Sequence, residues 1–490
     1  MNKGMIRFIL GWIFIIQSVL LLLPCIFAII YAEQQGIYYA GTALVSFVIG
    51  ILLSRKKPSD NVFYLKEGCI ITALSWIILS FFGAMPLWLS KEIPDFTDAV
   101  FEIASGYTTT GSTICPSVEA LSHAANFWRC FTHWVGGMGV LVFLIAIVPM
   151  SGGSNINLMR AESPGPSVGK LVPKIRQTAR ILYTIYFGLT IAEFIFLVCG
   201  QMPVFDAICS SVGTAGTGGF GIKNDSFASY SDYCQIVVTV FMILFGVNFN
   251  AYYFIIYKQF KKAFSMEEVK WYFIIIFTSI AIITINILNQ VGNLFVAIKD
   301  ASFQVGAIIT TTGFASADFD TWPILSKTIL VMLMFVGACA GSTGGGIKVS
   351  RFIISIKSVK KELQSYLHPK LIKKIKMDGH PIEHDIIRAT NVYFMTYILI
   401  FIISLLVISL EGKSLVTNFT AICATLNNIG PGLEAVGPTQ NFADYGILSK
   451  WIMIFDMLAG RLELFPMLML FHPGIWKDFF KKKARRQISQ

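Results

Sequence analysis

Ten long apolar segments alternate with short polar connectors along the chain: 6–31, 37–54, 68–89, 125–150, 181–200, 235–257, 271–290, 324–356, 389–410 and 447–472. About 20 apolar residues carry a helix across a bilayer, so each segment is long enough for a span. Segment 324–356 is too long for one straight span, and its middle, Gly337 to Gly346, is almost all Gly, Ala, Ser, Thr and Cys. Four further stretches, 98–110, 206–218, 300–312 and 417–429, are apolar but too short to cross, and each runs into a cluster of small residues. A short apolar helix followed by a Gly-containing strip, held between two spans, is the pattern of a re-entrant segment. The pattern predicts an all-α polytopic membrane protein. Two N-terminal spans (1–60) precede four span–pore helix–span repeats around one central pore. The repeats are 61–165 with a strip at Gly111, 166–262 with Gly219, 263–376 with Gly313, and 377–490 with Gly430 and a basic tail. The first apolar segment exceeds a signal-peptide core and lacks an obvious cleavage site, so it reads as a retained span.

Composition agrees. Of 490 residues, 55% are hydrophobic and 14% charged, against about 25% charged in soluble domains. A soluble enzyme is excluded. The formal charge is +11, but its placement matters more than its size. The N-terminus, 55–67, 151–180, 258–270, 348–388 and 477–490 hold 31 of the 39 basic residues and only 10 of the 28 acids. By the positive-inside rule these segments are cytoplasmic, with both termini inside. The four short stretches then lie on the opposite, acid-rich side, where an acidic mouth would concentrate cations. The nine cysteines are scattered with no C-x-x-C pair, and read as small apolar residues rather than a disulfide or zinc framework.

The four short stretches share one design. They end T-T-T-G-S-T at Gly111, G-T-G-G-F-G at Gly219, T-T-T-G-F-A at Gly313 and N-N-I-G-P-G at Gly430. Thirteen residues before these glycines stand Asp98, Asp206, Asp300 and Thr417, all suitable helix N-caps. Each unit thus reads as a cap, three helical turns and an extended strip. K⁺ exchanges its hydration shell for backbone carbonyls when a narrow strip turns them inward, in conformations easy for glycine. Thr hydroxyls add oxygens, and the negative ends of inward-aimed helix dipoles favour a cation. One such cluster would be a weak signal; four in register on one side are a strong one.

Other motifs carry less. G-T-G-G-F-G matches a dinucleotide fingerprint but follows a pore helix instead of a strand. Gly341 to Lys348 imitates a phosphate loop, but Ile347 separates the last glycine from the lysine. His380-Pro381-Ile382-Glu383-His384 fits an inverted zinc-protease order, yet Pro381 suits only a first helical turn and no third ligand is apparent. The run Lys481–Lys483 with Arg485 and Arg486 reads as a topology anchor or anionic-lipid contact rather than a nucleic-acid site. No nucleophile is paired with a base within the spans, so enzymatic activity is not expected. Two charged positions stand out. Arg461 falls within the last span near Asp456 and Glu463, and an intramembrane charge is a functional candidate by default, with a structural ion pair as the alternative. Glu193, in the fifth span, is read only as a polar contact between spans.

At these residues the chain resembles the Trk/Ktr superfamily of potassium-uptake proteins, specifically its bacterial Trk-type membrane subunits. The most specific pieces are T-T-T-G-S-T (108–113), W-V-G-G-M-G (134–139), R-A-E-S-P-G-P (160–166) and G-A-C-A-G-S-T-G-G-G-I-K (337–348). A-T-L-N-N-I-G-P-G (424–432) and G-R-L-E-L-F (460–465) complete them. The resemblance covers nearly the whole chain. It implies a K⁺ filter from Thr109, Thr110, Gly111, Thr217, Gly218, Gly219, Thr311, Thr312, Gly313, Asn428, Ile429 and Gly430. It implies an intramembrane gate at Gly341, Ser342, Thr343, Gly344, Gly345, Gly346 and Lys348. Arg461 would oppose that loop as a barrier to cations. The alternatives are a small-residue packing site for the loop and a snorkelling cytoplasmic role for Lys348. Gly218 stands where a larger apolar residue is common, which would loosen one wall. K⁺ would be the transported ion, with no covalently bound cofactor. Nucleotide (ATP/ADP or NAD) would act only through a cytoplasmic ring of RCK-type, nucleotide-binding regulatory subunits. A homodimer in the bacterial plasma membrane, in contact with lipid and not nucleic acid, is also implied. The alternative is a Na⁺-permeable or Na⁺-coupled relative. Plant members with Ser at the first filter glycine are Na⁺ selective, and Gly111 argues for K⁺.

Overall fold

The computed structural model describes residues 1–58, 64–139, 175–369 and 374–480. Among them, the only strands form a two-residue hairpin, Lys376–Met377 against His380–Pro381. Everything else regular is helix, as it must be where lipid offers no partner to a backbone N–H or C=O. Small hydroxyl side chains inside the helices bond back to their own backbone, as Thr72 does to Gly68 at 2.9 Å and Ser75 to Ile71 at 2.7 Å.

Among the described residues, six helices are long and apolar enough to cross a membrane, or seven with one bent pair counted as a span. They are Lys3–Ile30, Gly36–Ser54, Leu65–Leu89, Ala179–Cys199, Glu267–Val291, His384–Glu411 and the bent pair Asp232–Phe245 with Phe249–Ile256. Ile29, Leu44, Ile285 and Leu406 on their outer faces are well exposed, a lipid-facing surface. The three remaining predicted spans are interrupted or only partly described. The fourth begins as His123–Gly137, and residues 140–150 lie outside the described residues, as do the motif at 160–166 and the basic run 481–486. Segment 324–356 is helical over Ile324–Val336, irregular to Lys348, and helical again from Val349. The last stops at Arg461 and restarts at Phe465, with Glu463 and Leu464 at φ of 60° and 67°.

The four re-entrant helices are Phe96–Tyr107, Val204–Gly216, Leu294–Ile309 and Leu415–Leu426. Each follows a 25-residue helix and is followed by a helix of 13 to 15 residues, so four such units succeed one another after the N-terminal pair. The expected N-caps are corrected. Asp95, Asn293 and Ser414 cap three of these helices, and Pro203 precedes the fourth without a side-chain bond. Asp98, Asp206 and Thr417 sit one turn inside, and Asp300 deeper. Their side chains tie the helices outward. Asp98 pairs with Lys450 at 2.6 Å, Asp206 accepts from the Tyr230 hydroxyl at 2.8 Å, and the Thr417 hydroxyl donates to Glu434 at 2.8 Å. Hydrogen bonds from Ser414 and Thr417 hold the Glu434 carboxyl below its usual range.

Candidate ion pathway and its inner loop

All four re-entrant helices end in the same turn. The N–H groups of Thr109, Thr217, Thr311 and Asn428 donate three residues back, to Gly106, Thr214, Ile308 and Thr425. Those of Thr110, Gly218, Thr312 and Ile429 donate five back, to Ser105, Gly213, Ala307 and Ala424. This is the Schellman closure, whose pivot residue is left-handed and usually glycine. Here the pivots have φ of 57°, 53°, 59° and 56°, yet they are Thr, Thr, Thr and Asn. Two residues on, Gly111, Gly219, Gly313 and Gly430 have φ of 82°, 83°, 81° and 107°. Left-handed residues flank one that is not, so the chain alternates in hand along each strip.

The strips close a ring. A Cβ at Gly111 would collide with the Gly218 carbonyl, at Gly219 with that of Thr312, and at Gly313 with that of Ile429. At Gly430 it would meet the Thr110 carbonyl at 3.0 Å. The series runs from first repeat to second, third, fourth and back to first, so the four glycines surround one axis. Ser112 donates to the Gly430 carbonyl at 3.0 Å, and Asn428 Nδ2 to Thr110 Oγ1 at 2.9 Å, sealing the last joint. Above the ring lies a cavity of about 150 Å³ that all four glycines line. Its charged lining residues are Arg129 and Lys223. The expected acid-rich mouth is therefore not at the ring itself. Charge counts assign a connector to a side of the membrane, not to the wall of a funnel.

Helix His123–Gly137 explains the W-V-G-G-M-G motif. A Cβ on Gly136 would strike the Tyr107 carbonyl, and one on Gly137 would lie 2.7 Å from Gly216 Cα. The two glycines let this helix press directly on the ends of the first and second re-entrant helices. Gly218 faces the same helix, and the His133 ring fills the space where its side chain would be. The second wall is not loosened. Around the corner, Arg129 and Glu102 form a fully buried pair at 2.6 Å. Glu102 also accepts from the Thr113 hydroxyl and the Ile114 N–H, both at 2.9 Å, and Arg129 reaches the Gly221 carbonyl at 3.4 Å. Neither residue stood out in the sequence. An acid within a short apolar helix and an arginine early in a span were the available signals.

Inside the ring lies the irregular stretch Gly337–Lys348. The Gly345 N–H donates to Thr311 Oγ1 at 2.6 Å, which sets the stretch against the inner end of the third strip. A Cβ on Gly345 would lie 2.7 Å from the Asn427 carbonyl, so it abuts the fourth as well. The break in the bent pair holds it. Gly246 and Phe245 carbonyls accept from Cys339 and Thr343 N–H groups at 3.1 and 3.4 Å, and the Phe249 N–H donates to Gly341 at 3.0 Å. Segment 235–257 reads as an unbroken span in sequence. Gly246 and the cap Asn248 were the overlooked signal. Glu268, also overlooked, is buried and accepts from Ala340 N–H at 2.6 Å, Ser350 N–H at 3.2 Å and Asn248 Nδ2 at 3.2 Å.

Lys348 is 1% exposed and donates to the Gly344 carbonyl, so it does not snorkel to water. Arg461 donates to Thr343 of the loop at 2.9 Å and to the Gly136 and Gly137 carbonyls at 2.5 and 2.7 Å. Of its expected ion partners, Glu463 is paired with Arg351, and Asp456 accepts from Ser404 at 2.8 Å. Glu193 is buried, and its carboxyl oxygens find no hydrogen-bond partner among the described residues. His380 and Pro381 form a strand and a helix starts only at His384, so H-x-x-E-H does not share one helical face.

Bilayer-length helices enclosing four re-entrant strips round one axis define a multi-pass membrane protein. Residues 34–480 match the TrkH family of cation transport proteins, and the chain belongs to that family. The Trk system potassium uptake protein TrkH of Salmonella typhimurium is 35% identical over 481 residues, 96% of this chain and 98% of that one. TrkG of Escherichia coli K12, named for the same system, is 30% identical over 488 residues, 98% of this chain and 100% of its own. The crystal structure of the potassium transporter TrkH from Vibrio parahaemolyticus matches with a TM-score of 0.87 and 30% identity, covering 97% of this chain and 100% of that one.

Proposed function

We propose that the protein takes up potassium ions through the ring of four strips. The observation that carries this is the ring itself, with four glycines alternating in hand with their neighbours and each set against a carbonyl of the next repeat. Such strips replace an ion's water with backbone oxygen. The C-terminal ends of the four short helices meet at the strips, where their dipoles favour a cation. Thr109 Oγ1 is buried without a partner among the described residues, an oxygen available to an ion. The relatives' names support potassium as that ion.

The loop 341–348 acts as the gate, resting under the third and fourth strips, and Arg461 stands beside it as a positive barrier. The work is transport rather than covalent catalysis, with K⁺ as cargo and no bound cofactor. The repeat units run near 61–165, 166–262, 263–376 and 377–490. The chain lies in a bacterial plasma membrane with both termini cytoplasmic, and works as a homodimer. A ring of RCK-type subunits that bind nucleotide regulates it from the basic connectors 151–180 and 348–388. Residues 151–174 and 370–373 of these connectors lie outside the described residues.

The test is K⁺ and Na⁺ flux into liposomes holding the purified protein. K⁺ preference is expected, and it should fall on Gly111→Ser. Equal flux of both ions would replace potassium with monovalent cations in general. Unaltered preference in Gly111→Ser would remove selection from the ring.

A further inference from the structure

We infer that His133 is a positioning residue for the second strip, standing in for the side chain that position 218 lacks, and so helps decide which ion passes. This deepens the ion-pathway reading and rests on it. In the other three strips the residue before the glycine carries a side chain that braces the turn. Thr110 and Thr312 are hydrogen-bonded to Thr108 and Thr310 at 2.8 and 2.6 Å, and Ile429 is fully buried. The second strip has Gly218, which by itself leaves the backbone free. A Cβ built on Gly218 would fall within the imidazole of His133.

That ring does more than fill space. It is fully buried, with Nδ1 2.7 Å from the Gly106 carbonyl and Nε2 3.1 Å from the Phe220 N–H. A carbonyl needs a donor and an N–H needs an acceptor, so Nδ1 carries the proton and Nε2 accepts. The ring thereby joins the first re-entrant helix to the strip of the second repeat. It also packs on the Phe220 ring at 4.4 Å between centroids. On both sides of Gly219 the second strip is thus held by one side chain from the first repeat.

The experiment uses the full-length protein and two readouts: the K⁺/Na⁺ flux ratio in liposomes, and the extra thermal stabilisation by K⁺ over Na⁺ in detergent, which needs no open gate. His133→Ala should lower the flux ratio about tenfold, the scale of leaving the buried Phe220 N–H without its acceptor, and should erase the K⁺-specific stabilisation. His133→Gln, whose amide donates and accepts, should stay close to the unaltered protein. Gly218→Val should lose both readouts because its side chain meets the ring, and His133→Ala/Gly218→Val should recover part of them. If His133→Ala fails to fold, the comparison of Gly218→Val with the double variant carries the test. Full discrimination in folded His133→Ala, or a double variant no better than Gly218→Val, would overturn the inference. An unaltered protein that distinguishes neither ion would overturn the ion-pathway reading and this inference together.

Discussion

Thr109, Thr217 and Thr311 occupy a backbone region that β-branched residues avoid, at a helix end where glycine would be easy. Such a placement costs about 1–3 kcal/mol and persists where the surroundings demand it. Three recurrences in equivalent positions point to a use for the hydroxyl. Thr109→Gly should therefore raise the thermal midpoint in the absence of K⁺ while weakening K⁺ discrimination; a variant stabilised with discrimination intact would mean that the hydroxyl is not used. The glycines were legible as strip residues from their spacing alone. The N-caps were not, because Asp95 and Asp98 are equally good cap types and Ser414 stands three residues from Thr417, so only the observed helix start distinguishes them.

The break at 246–248 and the loop Gly337–Lys348 make one assembly. Carbonyls freed at Phe245 and Gly246 receive N–H groups of the loop, and Glu268 takes two more at Ala340 and Ser350. A backbone at membrane depth with so few regular bonds is tolerated because these partners exist. Glu268→Ala removes the acceptor of two buried N–H groups, each worth about 1–3 kcal/mol when orphaned. It should loosen the loop and raise basal flux several-fold, with Glu268→Gln intermediate; unchanged flux in folded protein would show that the loop is held elsewhere. The irregular loop was foreseeable from its run of Gly, Ala, Ser and Thr. The break at 246–248 was not, since a Gly and an Asn inside an apolar run look like an ordinary span until another element needs their carbonyls. The Glu102–Arg129 pair is similar. Breaking a buried pair costs about 3–5 kcal/mol, so Arg129→Ala should show a markedly lower thermal midpoint, and a small change would mean that water already reaches the site.

Arg461 acts across the molecule. It belongs to the fourth repeat, donates to Thr343 of the third and reaches Gly136 and Gly137 of the first. In the proposed pathway, a positive charge held there by carbonyls would repel cations and pin the loop. Arg461→Ala should raise basal flux, and Arg461→Lys, with charge but no fork to span three carbonyls, should raise it less. Unchanged or lower flux with normal expression would remove the barrier role. The charge asymmetry that assigned the sides of the membrane did not foresee a mouth lined by Arg129 and Lys223, because it sums over connectors and takes no account of distance from the axis.

Span length, re-entrant stretches and the four glycines follow from periodicity and composition, and charge gives an expected side for each connector. These are properties a bilayer reads locally, one segment at a time. Which strip meets which, that His133 occupies the place of a side chain at 218, that Glu268 anchors the loop and that Arg461 bridges three repeats depend on contacts between residues up to 325 positions apart. No local pattern encodes such pairings, because they arise only when four weakly similar repeats pack around a common axis and every freed backbone group must find a partner there.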